Sequence, residues 1–252
     1  MYNRFLRQLK PVFSVVVRAV LVYSFPMQLR QFAILFFYIL DVCLCLLAIR
    51  KKNSRVYALT KPFLTPLLCA VYFLFLPVPL RGLHYQKFVI VALALHCLGD
   101  VFLLFPRGKS RHMFYLGMLS FFSGHVFYTL WFVKADVGHS NNGVILALLL
   151  CFLVEYGLFR QLILGPRKYA PILLPYSFGL CAIAVAIAST AGNGSPFYAT
   201  LISFAGVALF YFSDFCIMRR MVRLPLFGQM TVMSTYIAGQ SLIVLGMLLM
   251  QV

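Results

Sequence analysis

Acids are what this chain has least of. Five Asp and Glu stand against 22 Lys and Arg in 252 residues, and charged residues make up 11% of the whole. An ordinary soluble domain carries about 25% charged residues, so one with 63% hydrophobic residues is excluded. Alternation of polar and apolar residues is missing too. The apolar segments are continuous, which excludes a transmembrane β-barrel. No HExxH, G-x-S-x-G, P-loop or G-x-G-x-x-G occurs, which removes the usual zinc hydrolases, nucleophile-elbow serine hydrolases and nucleotide-binding enzymes. The seven cysteines all fall in apolar runs without metal-site spacing, and read as small buried hydrophobes. No metal and no cofactor is expected.

What remains is an all-α, polytopic membrane helix bundle. Eight spans are predicted, at about 31–49, 62–80, 88–105, 113–133, 143–159, 171–190, 197–217 and 229–251. The loops after the first, third, fifth and seventh spans hold Arg50, Lys51, Lys52, Arg55 and Lys61, then Arg107, Lys109 and Arg111, then Arg160, Arg167 and Lys168, then Arg219, Arg220 and Arg223. The loops between hold only Arg81, Lys87 and Lys134. Basic loops stay on the cytoplasmic side, which orients the bundle. It also accounts for the net charge of +17 without nucleic acid, with membrane lipids as the surroundings. An integral, multi-pass location is expected, in the cell membrane of a bacterium or the endoplasmic reticulum of a eukaryote. Residues 1–30 form a separate basic segment. Arg4, Arg7, Pro11, Ser14 and Arg18 recur at helical steps, as an interfacial amphipathic helix or as a short extra span over 12–25. Arg18 interrupts the apolar run there and no small-residue cleavage site follows, so a cleaved signal peptide is not expected.

Within 31–252 the polar residues repeat. Asp41, Pro62 and Pro66, Gly99-Asp100, and Gly124-His125 are followed, 109 to 115 residues later, by Glu155, Pro171 and Pro175, Ser213-Asp214, and Gly239-Gln240. Four spans return the chain to the same side, so halves at about 31–137 and 143–252 would be parallel four-helix repeats.

Asp100 and Asp214 are the candidate catalytic residues. A carboxylate inside a span costs roughly 2.5–3.5 kcal/mol on the insertion scale, so its presence calls for a use or a partner. Asp100 is six residues before Pro106 and Asp214 five before Arg219. Both therefore lie roughly 7–9 Å beneath the basic face, at 1.5 Å per residue. Two carboxyls meeting in one pocket would divide into an acid and a base. Around them, Lys61 is level with the pair and either holds a phosphate as a point charge or anchors its helix at the interface. His96 is four residues before Asp100 on the same face, either orienting it or hydrogen-bonded in the core. His125 and Tyr128 share a face of span four, as do Tyr236 and Gln240 of span eight, while Ser213 precedes the second aspartate. Asp41 and Glu155 either pair structurally or line a cavity. His84, His112 and His139 fall in loops, where solvation is expected.

The segments TKPFLTPLL (60–68), LGDVFLL (98–104), FYLGMLSFFSGHVFY (114–128), ALFYFSD (208–214) and STYIAGQSLI (234–243) resemble, in order, the motifs of the lysoplasmalogenase (YhhN-like) family. The resemblance covers about residues 31–251. Gly239-Gln240 departs mildly from the family's frequent Ala-Gln. It implies a lysophospholipid substrate and hydrolysis of the vinyl ether bond of lysoplasmalogens, giving a fatty aldehyde and glycerophospho-ethanolamine or -choline. Asp100 and Asp214 fit that chemistry as a general acid and a general base, with either residue in either role. Two rival readings share the same pocket. One is a transporter or lipid-binding protein with intramembrane carboxylates. The other is a hydrolase of another lysolipid bond.

Overall fold

The computed structural model describes residues 29–105, 111–135, 141–164, 170–191, 195–221 and 227–251. The alternatives for the N-terminal segment, and His139 with them, lie outside the described residues.

Those residues are helical almost throughout, with a single isolated bridge, Ala191 to Ser195, in place of any sheet. The helices are α1 (Leu29–Arg50), α2 (Ser54–Thr60), α3 (Leu64–Phe75), α4 (Gln86–Leu104), α5 (Arg111–Lys134), α6 (Asn141–Leu164), α7 (Ala170–Ser189), α8 (Phe197–Met221) and α9 (Gln229–Leu249). A 3-10 turn, Lys61–Phe63, joins α2 to α3 into one segment, Ser54–Phe75. Among the described residues six segments are long and apolar enough to cross a membrane. In α6 and α7 the apolar stretches are shorter, Val144–Gly157 and Tyr176–Ser189. Large apolar side chains such as Phe36, Leu149 and Phe152 point outward, as lipid-facing residues do.

The second span departs from expectation, starting eight residues early and ending five early. Asn53 caps α2, its side chain accepting from Val56 N at 3.2 Å, so residues assigned to the basic loop are already helical. Leu76 turns extended (ψ 132°) ahead of Pro77, where proline disfavours the helical region for its predecessor. Pro66 has no N–H for the Pro62 carbonyl, one turn back. The Cys97 thiol of α4 donates to that carbonyl instead, at 3.2 Å. The turn beside this defect is 3-10, and it carries Lys61 inward.

α4, α5, α8 and α9 make the centre. Gly124 of α5 lies against the His96 ring and the Ala92 carbonyl of α4. A Cβ on Gly239 of α9 would come within 2.8 Å of Phe210 N and 2.9 Å of the Gly206 carbonyl of α8. Gly124 and Gly239, Ala92 and Gly206, and His96 and Phe210 are counterparts 114 or 115 residues apart, so the same small-residue crossing occurs twice. Across the middle His96 meets Phe210 (ring centroids 5.9 Å apart) and Phe121 meets Tyr236 (6.0 Å), each touching its own counterpart. A parallel duplication about an axis along the helices requires such contacts. They support, as a proposal, the halves at 31–137 and 143–252.

The end of the bundle away from the basic loops is closed by buried polar contacts. Gln86 Oε1 accepts from the Tyr72 hydroxyl and from Trp131 Nε1 (3.1 Å). Gln251 Oε1 accepts from Gln86 Nε2 (3.2 Å) and the Tyr85 hydroxyl (2.9 Å). Tyr72, Gln86 and Trp131 are almost wholly buried.

The crossings can be tested by adding one methyl group. Gly239→Ala pushes against backbone, which cannot swing aside, and should cost about 1–3 kcal/mol, seen as a lowered Tm of the detergent-purified protein. Gly157→Ala meets nothing within 4 Å and should leave Tm level or raise it, because alanine favours the helix.

Candidate active site

A cavity of about 560 Å³ opens at the basic end, a size typical of small-molecule sites. Asp100 and Asp214 both line it, from α4 and α8. Around the carboxyls the wall is apolar, with Met118, Phe121, Leu180 and Met233. Ser54 and Gln229, both exposed, stand at the mouth.

Asp100 is held on both oxygens. Lys61 Nζ lies 3.1 Å from Oδ1, and the Tyr236 hydroxyl donates to Oδ2 at 2.7 Å. Lys61 and Asp100 are 7% and 1% exposed, so this is a buried ion pair. A buried carboxylate of this kind stays charged only with a cation and further hydrogen bonds around it, and Asp100 has both. The Lys61 ammonium, on the 3-10 turn, is thus turned inward and paired with Asp100.

Asp214 is held differently. The Tyr176 hydroxyl of α7 donates to its Oδ2 at 2.6 Å. Among the described residues no Lys or Arg nitrogen lies within 4 Å of it. Among the described residues, one cavity thus holds one carboxyl with a cation and one without. Tyr176 is invisible to spacing arguments. The chain has 14 tyrosines and 26 phenylalanines, and an intramembrane Tyr among so many rings carries little signal beyond its place after Pro175.

The other candidates fall into two groups. Tyr236 and Ser213 line the cavity, and Ser213 donates to the Val232 carbonyl of α9 at 2.9 Å, tying the two helices together beside Asp214. His96, His125, Tyr128 and Gln240 lie deeper, behind the wall. Gln240 accepts from the Tyr128 hydroxyl (2.8 Å), and its amide nitrogen is 2.8 Å from His96 Nδ1. His96 therefore engages α9 rather than Asp100. His125 is packed among the rings of His96, Tyr176 and Phe210, with centroids 5.0–5.3 Å away. Through these contacts the four residues pack α4, α5, α8 and α9 against one another.

Glu155 accepts from the Ser177 hydroxyl (2.9 Å) and the Cys181 thiol (3.4 Å), both on α7. It lies behind Ser177, which lines the cavity. Asp41 is half-buried on α1. His84 is exposed, as expected, while His112 is exposed on the first turn of α5 rather than in a loop. Among the described residues no cluster of three His, Cys, Asp or Glu could hold a metal ion.

The ion pair sets up a non-additive test. Lys61→Met strands a buried carboxylate and should cost about 3–5 kcal/mol. The double variant Lys61→Met, Asp100→Asn removes both charges and should recover most of the lost Tm. Additive losses would show that the pair is not coupled.

Searches of curated proteins and of solved structures gave no match. The family model described as the YhhN family matches residues 56–247, a stretch holding Lys61, both aspartates, both tyrosines that bind them and the crossing glycines. A match over this much of the chain, with all of the cavity lining but Ser54 inside it, is enough to place the protein: it belongs to the YhhN family, the family that includes lysoplasmalogenases.

Proposed function

We infer that the protein is a membrane hydrolase, as its family membership suggests. We propose that the protein hydrolyses the vinyl ether bond of lysoplasmalogens, with Asp214 as general acid and Asp100 as general base. The observation that carries this reading is the unequal pair of carboxyls in one cavity.

Vinyl ether hydrolysis starts with a proton delivered to carbon. Among the described residues no cation stands beside Asp214, so in this reading it keeps its proton and gives it to the outer alkene carbon. The positive charge then rests on the inner carbon and the ether oxygen. Asp100, ionised beside Lys61, offsets that charge and draws a proton from the water that attacks the inner carbon. The product is a hemiacetal. Its carbon–oxygen bond to glycerol breaks, the hydroxyl proton passes to the departing oxygen, and a fatty aldehyde and a glycerophospho headgroup remain. One water is consumed and no redox change occurs. The logic parallels that of glycosidases with two carboxyls.

A single-chain lipid suits the location. The carboxyls lie below the basic end, where the headgroup of such a lipid would sit. The Gln86 network closing the far end speaks against alternating access, which needs both ends to open in turn.

The reading is tested with purified protein and lysoplasmalogen, scored by aldehyde release. Asp100→Asn and Asp214→Asn should each lower kcat by about 10²–10⁴-fold; Asp100→Asn also strands the Lys61 ammonium, so it is read beside the double variant Lys61→Met, Asp100→Asn, which strands no charge and should be equally inactive. Full activity in either variant overturns the two-carboxyl mechanism. Hydrolysis of an ordinary acyl lysophospholipid with no aldehyde would instead favour another lysolipid bond. Uptake into proteoliposomes without chemistry would favour transport.

A further inference from the structure

The structure leaves the substrate's phosphate in need of a cation other than Lys61. Resting on the reading above, we propose that Arg220 holds the phosphodiester at the mouth of the cavity. The protein would then be selective for lysolipids that carry a phosphate on the glycerol end opposite the bond being broken.

Lys61 and Arg220 are the cations among the described residues that line the cavity. Lys61 is committed, buried against Asp100 at 3.1 Å. A phosphate drawn there would compete with the carboxylate for the same ammonium, deep in an apolar wall. Arg220 also lines the cavity and is partly exposed. Its Nη2 donates to the Phe227 carbonyl at 3.1 Å. That contact fixes part of the guanidinium and leaves other N–H groups of the fork for an anion, the geometry in which arginine binds phosphate through two parallel bonds.

The rise along α8 is of the same order as the ligand's span. Asp214 and Arg220 are six residues apart on α8, which is about 9 Å along the helix axis. In a lysoplasmalogen five bonds separate the ether oxygen from phosphorus, roughly 6 Å when extended at bond lengths near 1.5 Å. A charge-assisted contact of about 2.8 Å brings the reach to the same length. With the phosphate on Arg220, the vinyl ether comes level with the carboxyls. A neutral 1-alkenylglycerol has the reactive bond but nothing to hold it in register.

The test compares kcat/KM for lysoplasmalogen and for 1-alkenylglycerol in wild type, Arg220→Gln and Arg220→Lys. Arg160→Gln, an exposed arginine outside the cavity wall, controls for surface charge. The wild-type preference for the phosphorylated lipid should fall at least tenfold in Arg220→Gln, chiefly through KM. Arg220→Lys should retain part of it, and Arg160→Gln should keep it. An unchanged preference in Arg220→Gln, or an equal fall in Arg160→Gln, overturns the assignment. Glycerophospho-ethanolamine should compete with substrate. Inhibition by inorganic phosphate alone would mark a free-anion site and also overturn it.

If wild type releases no aldehyde from either lipid, the proposed reaction fails separately. The headgroup assignment is then read from binding of an uncleavable 1-alkyl lysophospholipid against 1-alkylglycerol. Discrimination lost in Arg220→Gln sustains it, and discrimination retained overturns it.

Discussion

The site depends on one buried ion pair. Lys61 and Asp100 are both almost out of contact with solvent, 3.1 Å apart, on neighbouring segments of the bundle. In an apolar interior neither charge is tolerable without the other. Their pairing fixes the depth of the 3-10 turn, the rotation of α4 and, through Tyr236, the seating of α9. Pro66 contributes from within the same segment, because the carbonyl it leaves unbonded is taken by Cys97 of α4.

In the proposed duplication, the pair also makes the two halves different. The central helices meet at matching glycines, and aromatic rings touch their own counterparts across the middle. The two aspartates occupy corresponding positions in the halves, but Lys61 does not recur: the residue 109 positions later is Ala170. Among the described residues, one carboxyl is therefore neutralised by a neighbour and the other is not. An acid and a base can arise from duplicated carboxyls once a single lysine is added to one half.

Much of this was legible in the chain itself. Continuous apolar runs mark the helices because no water is available to unsatisfied backbone in a membrane. The positions of Asp100 and Asp214 along their runs give a common depth. Other features were not legible, for physical reasons. The early start of α2 depends on the side chain of Asn53 acting as a cap, and basic residues on a helical first turn look the same as basic residues in a loop. Shared faces on one helix say which residues are neighbours in sequence, not which neighbour on another helix lies nearer. His96 shares a face with Asp100 yet bonds Gln240. Lys61 was visible as a charge at the right depth, but its distance from Asp100 follows from the packing of two segments. Tyr176 reaches Asp214 from a helix that nothing in the spacing ties to it.

The central claim is that the two carboxyls hold different protonation states in one cavity. Infrared difference spectra between wild-type protein and each Asp→Asn variant address it directly, because a protonated carboxyl has a C=O stretch that a carboxylate lacks. The account predicts that such a band is lost in Asp214→Asn and kept in Asp100→Asn, whose own difference spectrum shows loss of a carboxylate band. A protonated band lost with Asp100 instead, or carboxylate bands lost in both variants, would contradict it.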